Sequence, residues 1–335
     1  MSISAKELAK LLKLTPAAVS MALNGKPGVS SETRRQVMEA AEQYGYDFSR
    51  LAKKRLSGGS IAFIIYRRQG AVVGDTPFFS QLSEGIEAGC KIAGLRLQVH
   101  YLYHQDEGMT SQLRDILYSG CGGVILLATE MLQEDYAACR RLPVPLVLLD
   151  GYFDFARHDG VLIDNVQGAF VATDYLISRR KSQPGYLHSA YPIGNFEERS
   201  NGFYKAVRKH GLSASKSILH GLSPSVEGAQ ADMTAILESG EEIADCYFAD
   251  NDLIAIGAMK AFAARGMKIP QDVGIIGFDD IAPASYVEPA LTTIHVPKQY
   301  MGEMAAKRLV ERMGSKSHLP VKIEIGTRLM KRASV

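Results

Sequence analysis

The 335-residue sequence lacks most of what membrane proteins, secreted scaffolds and metalloproteins need. No apolar run approaches the roughly 20 residues that span a bilayer, and the first residues lack the basic and apolar segments of a secretory signal. The four cysteines are scattered without C-x-x-C spacing, and the eight histidines show no spacing typical of metal ligands. We therefore expect a cytoplasmic protein that holds no metal and no cofactor.

Motifs of the common enzyme classes are absent as well. No G-x-G-x-x-G segment follows the first apolar strand, and the sequence has no P-loop, no H-E-x-x-H and no G-x-S-x-G. A fold alone does not exclude catalysis, but no residue pattern supports it here. We therefore expect a protein that is not an enzyme.

What the sequence does have is an uneven charge. Its 46% hydrophobic and 22% charged residues are typical of a globular protein, and its length allows two or three domains. The first 60 residues carry ten Lys or Arg and five Asp or Glu, hence +5, so the remainder of this +2 chain carries −3. Such a basic head suggests a module that binds a polyanion. A small helical domain with a solvated basic face would show the same charge, and on charge alone the two interpretations stand equal.

Three short helices are predicted in this head. Ser4-x-x-Glu7 has the form of a capping box, and leucines follow it at helical spacing. Thr15-Pro16 opens a second helix, and Asn24-Gly25 ends it. Ser31 is the predicted N-cap of a third helix over residues 32–44. Two short helices around a tight turn, braced by a third, are typical of a helix-turn-helix, whose second helix fits the major groove of DNA.

Residues 14–30, LTPAAVSMALNGKPGVS, resemble the recognition-helix signature of the LacI/GalR family of bacterial transcription regulators. The segments Glu32-Thr33-Arg34 and Ala40-Ala41-Glu42-x-x-Gly45-Tyr46 continue the pattern without a gap. The resemblance implies a homodimer that binds double-stranded DNA at a pseudo-palindromic operator. Its implied DNA-binding residues are Thr15, Pro16, Ala17, Ser20, Met21, Asn24, Lys26 and, in the linker, Leu56.

One residue of this segment departs from the family pattern. Many members have an arginine where this chain has Met21, and an arginine can clamp the O6 and N7 atoms of guanine. Met21 can make only apolar contact, for example with a thymine methyl group, or it can pack against DNA or solvent without selecting a base. The operator sequence is therefore not implied by the resemblance.

Residues 49–60 are predicted to link the DNA-binding head, residues 1–48, to the rest of the chain. In the family this linker is a hinge helix that orders on DNA and wedges a leucine into the minor groove, and Leu56 is the implied wedge. The spacing Ala52-x-x-x-Leu56 is one residue longer than the family's usual spacing. A flexible basic tether, with Gly58-Gly59 as its swivel, is the alternative.

Residues 61–335 alternate apolar, strand-like runs with helical patterns. Strands are predicted at 61–66, 97–99, 124–127, 146–150, 186–188, 218–219, 246–248 and 273–276, with helices between them, one of these near 134–140. This β-α-β repetition predicts parallel sheets with helices on both faces. Motifs such as Gly277-Phe278-Asp279-Asp280 match the family's effector domain. The predicted fold class is thus α/β, a three-helix helix-turn-helix head plus a two-lobed, doubly wound, periplasmic-binding-protein-like domain for effector binding and dimerisation.

The two halves of this domain also repeat each other, because Gly85 and Gly94 recur as Gly202 and Gly211 at a constant offset. We place lobe one at about 61–163 plus 292–320 and lobe two at about 164–291 plus 321–335. Two similar lobes imply a cleft between them, and small ligands bind at the carboxyl ends of parallel strands.

Candidate effector-binding residues follow from strand-end positions together with the resemblance. They are Phe78, Phe79, Asp150, Phe196, Arg199, Asn251 and Asp279. Carboxylates and amides at strand ends can bridge two hydroxyl groups of a polyol, and phenylalanines supply an apolar wall. Arg199 lies where the family uses an arginine on the effector. Three alternatives stay open: Asn251 as a helix N-cap, one of the Phe78–Phe79 pair in the core, and Asp280 in a structural role.

The loop at residues 67–76 is longer than the family's usual loop, so the ligand's identity is not carried over. A sugar is the family default, a sugar phosphate or a nucleobase stays open, and Arg67-Arg68 would suit an anion.

Together these observations predict a ligand-responsive, sequence-specific transcription regulator, a repressor of carbohydrate-metabolism genes controlled by a sugar or sugar phosphate. The ligand would reorient the lobes and change how paired heads fit two half-sites. The alternative is a solute-binding sensor or transport protein, which explains the lobes but not the head. No membrane partner is expected.

Overall fold

A computed structural model describes residues 3–24, 28–47, 59–74, 77–104, 108–118, 120–140, 142–315 and 319–335. The chain divides into two compact units. The first comprises Met1–Arg68, Ser83–Val161 and Gly302–Lys322, and the second comprises Gln69–Leu82, Leu162–Met301 and Ile323–Val335. Within the described ranges, no helix is both long and apolar enough to cross a membrane.

Helices and strands alternate along most of the chain after the head. In chain order the elements are α1 (Ala5–Leu11), α2 (Pro16–Leu23), α3 (Ser31–Gln43), β1 (Ser60–Arg67), α4 (Pro77–Ile92), β2 (Arg96–Tyr103), α5 (Met109–Tyr118), β3 (Val124–Leu127), β4 (Leu146–Leu149), β5 (Asp159–Ile163), α6 (Asn165–Arg180), β6 (Gly185–Ser189), α7 (Gly194–Lys209), β7 (Leu219–Leu222), α8 (Val226–Ser239), β8 (Cys246–Ala249), α9 (Asp252–Ala264), β9 (Gly274–Ile276), α10 (Pro283–Tyr286), β10 (Thr293–His295), α11 (Lys298–Gly314), β11 (Lys322–Ile325) and β12 (Arg328–Met330).

Local capping fixes the three head helices. The side chains of Ser4 and Glu7 form the predicted capping box of α1, and Thr15 caps α2 as predicted. The N-cap of α3 is Ser30, whose hydroxyl accepts a hydrogen bond from the backbone N–H of Thr33 at 3.0 Å, so the predicted cap at Ser31 is wrong by one residue. Ser30 has the extended backbone that an N-cap requires.

The three helices of the head close around a small apolar core of their own. Leu8, Val19 and Val37, one from each helix, are fully buried in it. Because each helix buries only one stripe of residues, its opposite side is left for solvent or for a partner.

The larger sheet has six strands in the order β11-β5-β4-β3-β1-β2, and strands β1 to β4 lie in the first unit. The β1–β2, β1–β3, β3–β4 and β4–β5 pairs are parallel, which confirms the predicted β-α-β architecture. Strands β3 and β4 are buried along their whole length, as expected for strands covered on both faces. The predicted helix near 134–140 is wrong, since the chain forms only a short 3₁₀ turn at Asp135–Ala138.

The second unit contains a parallel four-stranded sheet in the order β7-β6-β8-β9 and a short antiparallel pair, β10 with β12. Helices pack in two close pairs, α6 with α7 and α8 with α9. Gly202 of α7 and Gly257 of α9 lie directly against the backbone of the partner helix, where a Cβ atom would collide. Glycine is therefore required at both positions for this close approach.

Candidate nucleic-acid interface and ligand site

Helix α2, the predicted recognition helix, has one buried face and one exposed face. Val19, Ala22 and Leu23 are buried in the core of the head. On the other side of the helix Thr15, Pro16, Ala17 and Ser20 are exposed, whereas Met21 and Asn24 are half-buried. The exposed face therefore consists of small and hydroxyl-bearing side chains that allow close approach to base edges and phosphates.

Two of the predicted DNA-binding residues also fix the ends of this helix. The hydroxyl of Thr15 accepts a hydrogen bond from the N–H of Ala18 at 3.1 Å, and the side-chain amide of Asn24 donates to the carbonyl of Ser20 at 2.7 Å. These bonds hold the helix in shape before any DNA is present. Lys26 and Leu56 lie outside the described residues.

Met21 packs partly within the head. Gly28 has a φ of +114°, and a Cβ atom at that position would lie 2.9 Å from the sulfur of Met21. Glycine is thus favoured at 28 by both its backbone conformation and the side chain over it. Part of the Met21 side chain thus packs against Gly28 inside the head, and the half-buried side chain keeps a part exposed for an apolar contact.

In the second unit Arg199 is the centre of a buried polar network. Its Nε donates to the side-chain oxygen of Asn165 at 2.9 Å, and its two terminal nitrogens donate to the carbonyl of Asp250 at 2.5 Å and to the carboxylate of Asp279 at 3.1 Å. Its guanidinium lies 3.8 Å from the centre of the Phe278 ring. An arginine that is only 3% exposed needs such partners, because an unpaired buried charge is costly.

Asp279 begins a strained bend that carries its carboxylate to Arg199. Asp279 and Asp280 have φ values of 106° and 53°, both in the left-handed region. The ammonium of Lys298 donates hydrogen bonds to the backbone carbonyls of Asp279, at 2.5 Å, and Val296, at 3.2 Å. These two bonds stabilise the bend. Burial lowers the pKa of Lys298, while Asp279 opposes that shift. Sequence reasoning missed Lys298, because a lysine after Val296-Pro297 resembles a helix start.

The contacts of Asp280 are structural, in line with the alternative given for it in the sequence. Its carboxylate accepts from Arg332 at 2.6 Å and pairs with the His295 ring at 2.8 Å. Burial acts to raise the pKa of Asp280, but the hydrogen bonds from Arg332 and His295 outweigh it and lower the pKa. For Asp279 the balance is opposite, because burial raises its pKa despite the nearby Arg199.

Asp250 is a second member of this network that sequence reasoning missed. It is 1% exposed and accepts hydrogen bonds from the backbone N–H of Ser189, at 2.7 Å, and from the hydroxyl of Tyr186. Burial raises the pKa of Asp250 to about 6 despite these bonds. The carboxylate thus joins the ends of β6 and β8, and its carbonyl holds Arg199.

The remaining candidates of this unit are built into its interior. Asn251 is the N-cap of α9, since its side-chain oxygen accepts from the N–H of Ile254 at 2.9 Å. Phe196 is buried, with its ring centre 5.3 Å from the Arg199 guanidinium. Phe78 and Phe79 are both buried and meet edge to face at 5.0 Å, and Phe78 lies 5.5 Å from the ammonium of Lys298. All of these residues belong to the second unit. Phe196 contacts Arg199, and Phe78 contacts Lys298, which in turn holds the carbonyl of Asp279.

Asp150, the last candidate, belongs to the first unit. It follows β4 with a φ of 57°, is 2% exposed, and accepts from the hydroxyl of Thr129 at 2.7 Å. It therefore lies at the carboxyl end of the sheet, where the strand-end rule placed it.

Arg68, which the sequence suggested for an anion, is already paired. Its guanidinium lies 2.6 Å from Asp135 and 3.3 Å from Glu134, and its backbone N–H donates to Glu130 at 2.9 Å. The guanidinium of Arg67 lies 4.7 Å from the centre of the Tyr101 ring. This end of the sheet is thus rich in carboxylates.

Two family models match separate segments of this chain. Residues 4–48 match the model of bacterial regulatory proteins of the lacI family, and residues 173–335 match a periplasmic binding protein-like domain. The HTH-type transcriptional regulator GalR of Escherichia coli is 28% identical over 306 residues, which cover 90% of this chain and 87% of GalR. The HTH-type transcriptional repressor PurR of Pasteurella multocida is 27% identical over 334 residues, 98% of each chain.

Two solved structures share the fold over most of the chain. A LacI family transcriptional regulator from Enterococcus faecium with bound ribose is 25% identical, with a TM-score of 0.69, and the match covers 82% of this chain and 98% of that one. The lac repressor dimer bound to operator and the anti-inducer ONPF is 20% identical, with a TM-score of 0.71, and covers 100% of this chain and 99% of its own. At 20% identity, this second likeness shows the fold alone.

Proposed function

Because the chain belongs to the lacI family of bacterial regulatory proteins and is a DNA-binding transcription regulator, we propose that it represses carbohydrate-metabolism genes under the control of a neutral, sugar-like effector. The observation that carries the proposal is the exposed, small-residue face of α2 on a head with its own core. A basic head with this face fits the major groove of a duplex.

Two copies of the head bind one operator in this proposal. A homodimer presents two reading helices to two half-sites of a pseudo-palindrome, about one helical turn apart. Thr15, Pro16, Ala17, Ser20 and Met21 contact the groove, and Asn24 and Lys26 contact the backbone. Leu56 enters the minor groove as a wedge.

The effector is assigned as neutral because two of the candidate anion-binding arginines, Arg199 and Arg68, already have acidic partners. Arg199 is paired with Asp279, and Arg68 is paired with Asp135 and Glu134. A phosphate group would have to compete with these carboxylates for the same guanidinium nitrogens. Hydroxyl groups, in contrast, can donate to Asp279 and accept from Arg199 without displacing a charge. In the first unit, Asp150 offers the same kind of acceptor. Phe78 and Phe196 provide the apolar wall, and Asn251 acts through the helix that it caps.

The second candidate function is that of a solute-binding protein without a DNA role. It does not account for the helix-turn-helix head, residues 4–48. The relatives are named transcription regulators, not enzymes, and we propose that this chain carries no catalytic activity either. Its partner is DNA, so we also propose a cytoplasmic location.

A thermal-shift screen tests the effector assignment. We expect one of several neutral sugars, among them ribose, cellobiose, glucose and galactose, to raise the melting temperature of the full-length protein by about 5 °C. The phosphate ester of the same sugar is the matched control and should give no shift, because it adds only the anionic group. Stabilisation by phosphate esters alone, or by none of these compounds, would overturn the neutral-sugar assignment.

A further inference from the structure

Helix α5 of the first unit contributes buried side chains to two different apolar clusters. Leu113 and Ile116 are buried in the cluster beneath the six-stranded sheet. Tyr118, the last residue of the same helix, is buried instead in the apolar cluster of the head, and it is 5% exposed. One short helix therefore reaches from the core of the sheet into the core of the head.

The contact is made by α3 of the head, which packs against α5. Charges of opposite sign accompany it. Burial raises the pKa of Glu42 on α3, and Arg114 on α5 opposes that shift. Asp115 on α5 contributes to the raised pKa of Arg35 on α3, after the larger effect of Glu32. Arg35 already pairs with Glu32 of its own helix at 2.8 Å. Glu42 and Arg114 therefore supply the opposite charges at this contact, and both also act on the pKa of Tyr118, an arrangement that favours one relative orientation of the two helices.

The packing of α3 on α5 leaves the predicted DNA-binding face of α2 exposed. The contact uses α3, whereas Thr15, Pro16, Ala17 and Ser20 of α2 remain exposed. The contact with α5 therefore does not cover the residues predicted to contact DNA.

We propose that α5 is the docking surface for the head, anchored by Tyr118 and oriented by the opposite charges of Glu42 and Arg114, and that this contact sets the orientation in which the head binds DNA. Docking through α5 gives the body of the protein a route to the head besides the linker. The part of the inference that concerns DNA rests on the proposed function, whereas the docking itself does not.

The hydroxyl of Tyr118 supplies a matched control. Among the described residues it has no hydrogen-bond partner, and burial together with the nearby Glu42 raises the pKa of Tyr118 to about 12. The anchor is therefore the ring, not the hydroxyl. Tyr118→Phe keeps the ring and should behave as the unaltered protein, whereas Tyr118→Ala removes the ring and should release the head.

Hydrogen–deuterium exchange on the full-length protein measures the docking directly. In Tyr118→Ala we expect exchange to accelerate about tenfold in both α3 and α5, with Tyr118→Phe unchanged. Faster exchange in α5 alone would show that the ring only stabilises its own helix, and the docking proposal would be rejected. The same rejection follows if the two variants behave alike.

Charge reversal at Glu42 and Arg114 tests what orients α3 on α5 without removing a side chain from an apolar core. Glu42→Arg and Arg114→Glu should each accelerate exchange in α3 by about threefold, which is the scale of a partly exposed ion pair. The double variant Glu42→Arg/Arg114→Glu should restore the original rate, because the pair is re-formed with its signs exchanged. Additive losses in the double variant would contradict a direct pairing.

The link to DNA is measured with a duplex selected from a random library by the unaltered protein. Tyr118→Ala should bind this duplex about tenfold more weakly, and Tyr118→Phe should bind it unchanged. Equal affinity of all three proteins, with docking lost in the exchange experiment, would show that docking does not orient the head. If no duplex can be selected, the proposed function fails, while the exchange results still decide the docking.

Discussion

Replacing Arg199 by methionine is expected to abolish the response to the effector and to lower the free energy of unfolding by about 3–5 kcal/mol. The guanidinium makes three hydrogen bonds, to Asn165, to the carbonyl of Asp250 and to the carboxylate of Asp279. Methionine fills much of the same volume but removes the guanidinium that pairs with Asp279, in a position where burial already raises the pKa of Asp279. The pKa of Asp279 would rise further, opposed only by Lys298 among the cations that now lower it, and a protonated carboxyl group is a weaker acceptor for a hydroxyl group.

The measurement combines denaturant unfolding with titration of the sugar that gives the largest thermal shift. Arg199→Lys is the control, because lysine keeps the positive charge but cannot donate to three partners in a fixed plane, and it should lose less stability. DNA binding should survive in both variants, since the core of the head is formed by head residues and Tyr118 of the first unit, whereas Arg199 lies in the second unit. An Arg199→Met protein that binds the sugar with unchanged affinity would refute the assigned role.

Ala17→Glu is expected to weaken DNA binding about a hundredfold without lowering the stability of the head, since like charges placed face to face cost several kcal/mol. Ala17 is exposed on the second residue of α2. A carboxylate there lies near the positive end of the helix dipole and should stabilise the helix slightly. The same carboxylate would face the phosphates of a bound duplex. A loss of DNA binding together with unchanged or higher stability thus separates recognition from folding.

Gln43→Glu is the control for Ala17→Glu, because it also adds one negative charge to the head. Gln43 is exposed at the last residue of α3, away from the reading face. Its effect should be limited to the small, salt-dependent loss that any added negative charge causes. Equal weakening by both substitutions would mean that net charge, not the α2 face, governs binding.

The head was the most predictable part of the chain, because its signals are local. A capping box at Ser4 and Glu7 or an N-cap at Thr15 involves residues three positions apart, and both form as expected. The error at Ser31 has the same local origin, since Ser30 and Ser31 are adjacent and only the backbone conformation decides between them. The failed helix near 134–140 reflects a tertiary contact, as Asp135 directs its carboxylate to Arg68.

The ligand site was predictable only at its strand ends. Arg199 and Asp279 were found from position and resemblance, and the structure brings them together. Asp250 and Lys298 were missed because their roles depend on partners that are distant in sequence or have no local signal. Asp250 meets Tyr186 across 64 residues, and Lys298 meets the carbonyl of Asp279 across 19 residues. Periodicity within one helix or strand carries no information about such pairs.

The central claim is that the exposed face of α2 recognises a DNA sequence, and the affinity of the full-length protein for two duplexes tests it most directly. One duplex is selected by the protein from a random library, and the other has the same composition in scrambled order. At about 150 mM salt we predict at least a thousandfold tighter binding to the selected duplex, whose sequence should contain an inverted repeat. Equal affinity for the two duplexes, or a library from which nothing is enriched, would contradict the claim.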